Sequence, residues 1–177
     1  MRNFILKNGK TLAVEIVKSG DAEEIINYTK TIGSESDNVT FGPEGVPVTL
    51  EQEKAFLATF SEKSLYPMFV GRIDDEIVTL ANLGGNDRPR LRHNAEIGIS
   101  VLKKYWNCGV GKKMMQVMIE HAKSTGIIEN LFLKVRSDNV NAIHLYESCG
   151  FKTVGTYPRQ MKIYQVYYDT LLMYCQL

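Results

Sequence analysis

Thr11–Lys18 (TLAVEIVK) is dense in β-branched and apolar residues and predicts a strand. From Asp21 to about Ile32 the apolar residues Ala22, Ile25, Ile26 and Tyr28 recur at helical spacing. Gly33 to Val48 is rich in Gly, Pro, Ser and Asn, the composition of a loop. Thr49 and Gln52 stand at capping-box spacing, opening a helix that includes Phe56, Leu57 and Phe60. Tyr66–Ile73 and Glu76–Leu83 read as strands folded about Asp74 and Asp75, and Gly84 to Asn94 as a polar, basic loop.

The pattern sharpens from Ala95 onward. AEIGISVL predicts a strand and NCGVG a glycine turn. KKMMQVMIEHAKSTG predicts a helix with Met114, Val117, Met118 and Ala122 on one stripe and Gly126 as its stop. Asn130–Arg136 is the next strand, Asn139–Cys149 a short helix ended by Gly150, and Phe151–Gly155 the start of another strand. Tyr164–Tyr174 closes the chain as a final strand. No repeat, low-complexity tract or linker interrupts this order, so one mixed α/β domain over residues 1–177 accounts for it.

Composition narrows the class. With 177 residues, 44% hydrophobic and 23% charged, the chain suits one soluble core. No apolar run approaches the roughly 18 residues of a membrane span, and no secretory signal is legible, so no membrane partner is expected. Three widely spaced cysteines, Cys108, Cys149 and Cys175, suggest reduced thiols and a cytoplasmic protein, with no metal site. Charge is uneven. Asp21 to Glu62 holds nine acids against Lys30 and Lys54, so 2 − 9 = −7, leaving +8 elsewhere to reach the net +1. Arg88, Arg90, Arg92, Lys103, Lys104, Lys112 and Lys113 form a basic stretch opposed only by Glu96. Such a patch suits a small polyanion, not a nucleic acid.

A strand, then Gly109-Val110-Gly111, then a helix can hold phosphate. Glycine lets the backbone approach an anion, and the unpaired amides of the first helical turn point at its oxygens. Two nucleotide motifs are excluded. A P-loop needs glycine where Trp106 stands and Ser or Thr where Lys113 stands. A Rossmann fingerprint needs Gly or Ala where Met114 stands.

Trp106-Asn107-Cys108-Gly109-Val110-Gly111 resembles the Q/R-x-x-G-x-G/A turn of the GNAT acetyltransferase superfamily. The later stretch Asn139-Val140-Asn141-Ala142-Ile143-His144-Leu145-Tyr146-Glu147-Ser148-Cys149-Gly150-Phe151 resembles that family's N-x-x-A-x-x-x-Y-x-x-x-G-F signature. Trp106 departs from the family's Gln or Arg. The resemblance implies a GNAT fold: a mostly antiparallel mixed sheet of about six or seven strands flanked by about four helices. It also implies acetyl-CoA as co-substrate and a small-molecule or peptide amine as acceptor. The oligomeric state is left open, a homodimer among the options.

On that resemblance the pantetheine arm would lie along the strand Ile97–Leu102, meeting backbone groups near Ile99 and Val101. The amides of Asn107, Cys108, Gly109, Val110, Gly111 and Lys112 would hold the pyrophosphate, and Asn141 would bond the pantetheine arm. Tyr146 would donate a proton to the departing thiolate, since a phenol of pKa about 10 can do so. Glu96, on the opposite face from Ala95, Ile97 and Ile99, is the candidate base for the amine, with His93 behind it. A carboxylate there could equally be paired with Arg92 or another basic neighbour. His121 and His144 read as solvated helix residues, and Asn139 as an N-cap. Cys108 faces the phosphate turn, which disfavours a covalent acetyl-cysteine. The expected mechanism is direct attack in a ternary complex; a CoA-binding sensor or interaction module without chemistry is the rival. The acidic segment suggests a cationic acceptor, such as a polyamine, an aminoglycoside or a peptide N-terminus, reached by Glu35 and Asp37.

Overall fold

The computed structural model describes all 177 residues. Its strands are β1 (Arg2–Ile5), β2 (Thr11–Ile16), β3 (Met68–Ile73), β4 (Glu76–Gly85), β5 (Asn94–Val101), β6 (Asn130–Arg136), β7 (Lys152–Ile163) and β8 (Val166–Gln176). Its helices are α1 (Ala22–Glu35), α2 (Leu50–Leu57), α3 (Val110–Ser124) and α4 (Val140–Ser148). The strands form one sheet in the order β1-β2-β3-β4-β5-β6-β8-β7. Only β5 and β6 run parallel, because α3 returns the chain between them. Eight strands stand where six or seven were expected. The extra one is β1, a polar edge strand whose Arg2, Asn3 and Ile5 are exposed, so burial leaves no alternation to read.

Local chemistry explains most boundaries. Asp74 and Asp75 take φ of 51° and 64°, the paired positive values of a tight hairpin turn between β3 and β4. Tyr164 and Gln165 do the same between β7 and β8, so Tyr164 is turn and the last strand begins at Val166. The Thr49 and Gln52 side chains cap α2 reciprocally. α1 runs three residues beyond Ile32, through Gly33. A Cβ on Gly33 would stand 1.9 Å from the Gly42 carbonyl oxygen, so the following loop folds back on the helix.

The sheet's two faces are covered unequally. Thr79, Ala81 and Leu83 of β4 pair with Val101, Ile99 and Ile97 of β5 and share a face. Met114 of α3 packs on that face against Gly71 and Thr79. Met114, Met115, Val117, Met118 and Ala122 are all buried beneath it. Each buried Met or Val among them contributes about 1.5–3 kcal/mol. α1 covers the other face, where the Tyr28 hydroxyl hydrogen-bonds the Ser100 hydroxyl at 2.9 Å. Further along that same face, Gly98 and Glu96 lie beyond the helices.

Candidate active site

β5 follows β4 from Ala95 to Val101 but pairs with β6 only over Asn94–Glu96. The Leu102 amide donates to the Val78 carbonyl, so the even-numbered main-chain groups of β5 face β4. The N–H and C=O groups of Ile97, Ile99 and Val101 therefore face the side that β6 has left. A wedge opens between the two strands, its edge lined by backbone that an extended amide chain can pair with.

At the mouth of the wedge the chain turns into α3. Asn107 and Gly109 take φ of 61° and 97°, two left-handed residues that curl the turn. From Asn107 through Lys112 no amide bonds to any protein group; the first to do so is Lys113, to the Gly109 carbonyl. These amides and the α3 N-terminus present a run of unpaired donors, a geometry that suits an anion. Lys112 is exposed beside it. Gly109 serves the backbone twist, since a Cβ there would meet nothing within 4 Å. Gly111 leaves its amide unpaired within this row and also serves packing. A Cβ there would lie 2.9 Å from Leu145 Cδ2, where α3 crosses α4.

The wall opposite is α4. The Asn139 side chain accepts the Ala142 amide as an N-cap, leaving Asn141 without a protein partner. Asn141, Asn139, Trp106, Arg136, Glu35 and Asp37 line a cavity of about 390 Å³. Two of its charges are committed. The Arg136 guanidinium grips Asp138, donates to the Asp37 carbonyl and stacks 3.9 Å over Tyr168. Glu35 accepts the Lys103 amide through Oε2 at 2.8 Å, and its Oε1 has no protein partner. The Trp106 indole N–H donates to the Val101 carbonyl at 2.7 Å, so the residue that departs from the family pattern reaches back to β5.

Tyr146 sits on α4 with its ring buried against Phe151. Its hydroxyl bonds to no protein group, yet it is not sealed from solvent. Burial, then the nearby Cys149, pushes the phenol up to about 12, so it stays a neutral donor. Glu96 lies on the other face of the sheet, half exposed, with Oε1 2.9 Å from Lys134 Nζ and Oε2 unpaired. Its basic neighbour is thus Lys134, not Arg92. It lines a cavity of about 570 Å³ with Asn82, Asn86, Leu91, Asn94 and Phe132. Tyr146 and Glu96 are therefore on opposite faces of the sheet.

Other candidates fall away. His121 is not solvated: it is half-buried, its Nε2 3.1 Å from the Ser64 carbonyl oxygen and its ring edge-on to Phe69. His144 is exposed beside Glu147. The His93 carbonyl accepts the amides of Glu129 and Asn130 at the base of β6, while its imidazole has no protein partner and does not line the Glu96 cavity. Cys108 is half-buried within the turn. Sequence reasoning missed Lys134 as the partner of Glu96. Strand register alone brings them together: Glu96 pairs with Phe132, and Lys134 lies two residues on, on the same face.

Residues 34–151, about two thirds of the chain, match the family model "Acetyltransferase (GNAT) family". The chain belongs to that acetyltransferase family. An Escherichia coli relative named L-amino acid N-acetyltransferase AaaT is 34% identical over 87 residues, 49% of this chain and 54% of that protein. The match thus spans about half the relative's length. An N-alpha-acetyltransferase of Sulfurisphaera tokodaii is 27% identical over 84% of both chains. Among solved structures, a GNAT-family acetyltransferase from Streptococcus pneumoniae superposes with a TM-score of 0.88 at 27% identity, covering 94% of this chain and 99% of that one.

Proposed function

We propose that this chain binds acetyl-CoA along the open edge of β5 and transfers its acetyl group directly to an amine held in the Glu96 cavity. The row of unpartnered amides from Asn107 through Lys112, at the end of a strand edge that faces a wedge, carries the reading. It suits a ligand with a polyanionic group at one end and an amide-bearing arm. Ile99 and Val101 offer that arm main-chain partners, and Asn141 adds a free side-chain amide.

The chain's own groups then divide the chemistry. Glu96 Oε2 takes a proton from the acceptor ammonium, directly or through a water, since an ammonium has no lone pair for attack. The β5 amides facing the wedge hold the acetyl oxygen as negative charge gathers on it. Tyr146 gives its proton to the sulfur that leaves. The wedge lets the amine arrive from the Glu96 face while the thioester is held on the Tyr146 side.

Release of free CoA from acetyl-CoA in the presence of an amine tests the roles. Glu96→Gln should lower kcat/KM by about a hundredfold with acetyl-CoA affinity kept. A variant with full activity and chemistry rate-limiting removes Glu96 from proton transfer.

A further inference from the structure

Resting on that transferase reading, we propose that the acceptor is an amine that also carries a carboxylate, and that the Asn86–Asn94 loop grips it with Arg88, Arg90 and Arg92. The loop supplies Asn86, Leu91 and Asn94 to the cavity beside Glu96. It is an ordered structure. The Tyr66 hydroxyl oxygen lies 3.1 and 3.0 Å from the carbonyl oxygens of Asn86 and Arg92 and shares its one hydrogen between them, drawing both ends together. Within it, the amides of Leu91 and Arg92 donate to the Arg88 carbonyl, and the Arg88 amide donates to Asn86 Oδ1.

The arginines of this chain fall into two groups. Arg2, Arg72 and Arg136 each hold a carboxylate, and Arg159 stacks on Tyr167 at 3.9 Å. Arg88, Arg90 and Arg92 make no ion pair and stack on no ring, and all three are exposed on the loop whose Asn86, Leu91 and Asn94 line the cavity. The cavity's lining holds a single carboxylate, Glu96, and that is matched by Lys134. None of the nine acids between Asp21 and Glu62 lines it. Asp21 and Glu24 hold Arg72, Glu35 holds the Lys103 amide, Glu44 holds the Gly42 amide, and Glu51 pairs with Lys54.

Against its one acid, Asp87, the loop carries three arginines, 3 − 1 = +2, so it presents net positive charge beside the cavity. It attracts a carboxylate, for which the guanidinium fork is shaped, and repels a polyamine. It also lowers the pKa of the acceptor ammonium, favouring the free base that attacks. A cationic acceptor, the expectation from net charge along the chain, meets the wrong sign of field.

The test compares kcat/KM for a set of amino acids, their carboxamides, and polyamines. The variants are Arg88→Gln, Arg90→Gln and Arg92→Gln, singly and together, with Lys10→Gln at the far edge of the sheet as a charge control. Acids should exceed their carboxamides by about tenfold or more, as expected for a charge-assisted contact. The gap should close in the triple variant with its acetyl-CoA affinity intact, and persist in Lys10→Gln. Carboxamides or polyamines turned over as well as the acids overturn the clamp and leave the transferase reading standing. A triple variant that keeps the gap also overturns it. An absence of turnover with every amine overturns both.

Discussion

β4 and β6 flank the same strand, yet they treat it differently. β4 follows β5 along its length, and its residues from Ile77 to Ala81 are all buried. β6 leaves after Glu96 and turns to β8, where its register runs unbroken from Asn130 to Arg136. On the β4 side, polar groups close on one another, as in the Arg72 cluster with Asp21 and Glu24. On the β6 side they are left open: the β5 edge, the Asn107–Lys112 amides, Asn141, the Tyr146 hydroxyl. Unmet hydrogen-bonding capacity is costly when buried, so a fold keeps it where a ligand can meet it. One side of β5 is structure and the other is site.

Substitutions on the open side should damage function more than stability. The largest effect is expected from Tyr146→Phe, which deletes one hydroxyl that bonds to nothing in the protein. Turnover should fall by roughly a hundredfold or more, as for loss of a general acid, with acetyl-CoA affinity kept. Calorimetry and rapid-quench kinetics would separate the two; near-full activity with chemistry rate-limiting removes Tyr146 from the mechanism. The raised phenol pKa adds a pH test. The folded value of about 12 lies above the ordinary value of about 10, so burial favours the neutral form. That stability is present below pH 10 and is lost as pH rises through 12. A buffer-corrected melting series should show this alkaline loss shrinking in Tyr146→Phe.

Gly109→Val comes next. It forces a β-branched residue to φ of 97° in open space, at a cost of about 1–3 kcal/mol, and should weaken acetyl-CoA binding as the amides turn away. Gly111→Val should act differently, destabilising the α3–α4 contact at Leu145. If Gly109→Val melts lower than Gly111→Val and binds CoA normally, the two glycine roles are reversed.

These two glycines also show how far the sequence could be read. Alternation and helical spacing are local, so the strands from Thr11 onward, the α2 capping box, the α3 stripe and the Asn139 cap were legible. So were the turn amides, because glycine spacing is a backbone property. Which glycine twists and which one packs depends on Leu145, more than thirty residues away. The same limit hid the Lys134 partner of Glu96, the Lys103 amide under Glu35 and the burial of His121. Net charge along the chain has the same limit, and the charge of the acceptor is left open by it. The sum over Asp21–Glu62 is correct, but several of those carboxylates are committed to nearby partners and none faces the Glu96 cavity.

On the closed side the balance should invert. Arg72→Met leaves Asp21 and Glu24 without their partner in a half-buried cluster and should cost about 1–3 kcal/mol, read as a lower denaturant midpoint. Acetyl-CoA affinity and kcat should stay within twofold of the parent. A specific loss of affinity without a loss of stability would mean that the covered half of the sheet is coupled to the site.

The smallest effect is expected where the two sides meet. Trp106 belongs to the phosphate turn, but its indole N–H reaches the Val101 carbonyl, which faces the wedge. That bond ties the turn to the end of β5 and so sets the distance between the strand edge and the anion-binding amides. A carbonyl has two lone pairs, so holding the indole does not close Val101 to a second donor. Trp106→Phe keeps an aromatic wall and removes only this tether. A net hydrogen bond is worth about 1 kcal/mol, which predicts acetyl-CoA binding about fivefold weaker with kcat at saturation unchanged. Titration of acetyl-CoA by calorimetry reads the difference directly. An affinity that rises instead would mean that the indole competes with the ligand for Val101, making this turn a brake on binding in place of a brace.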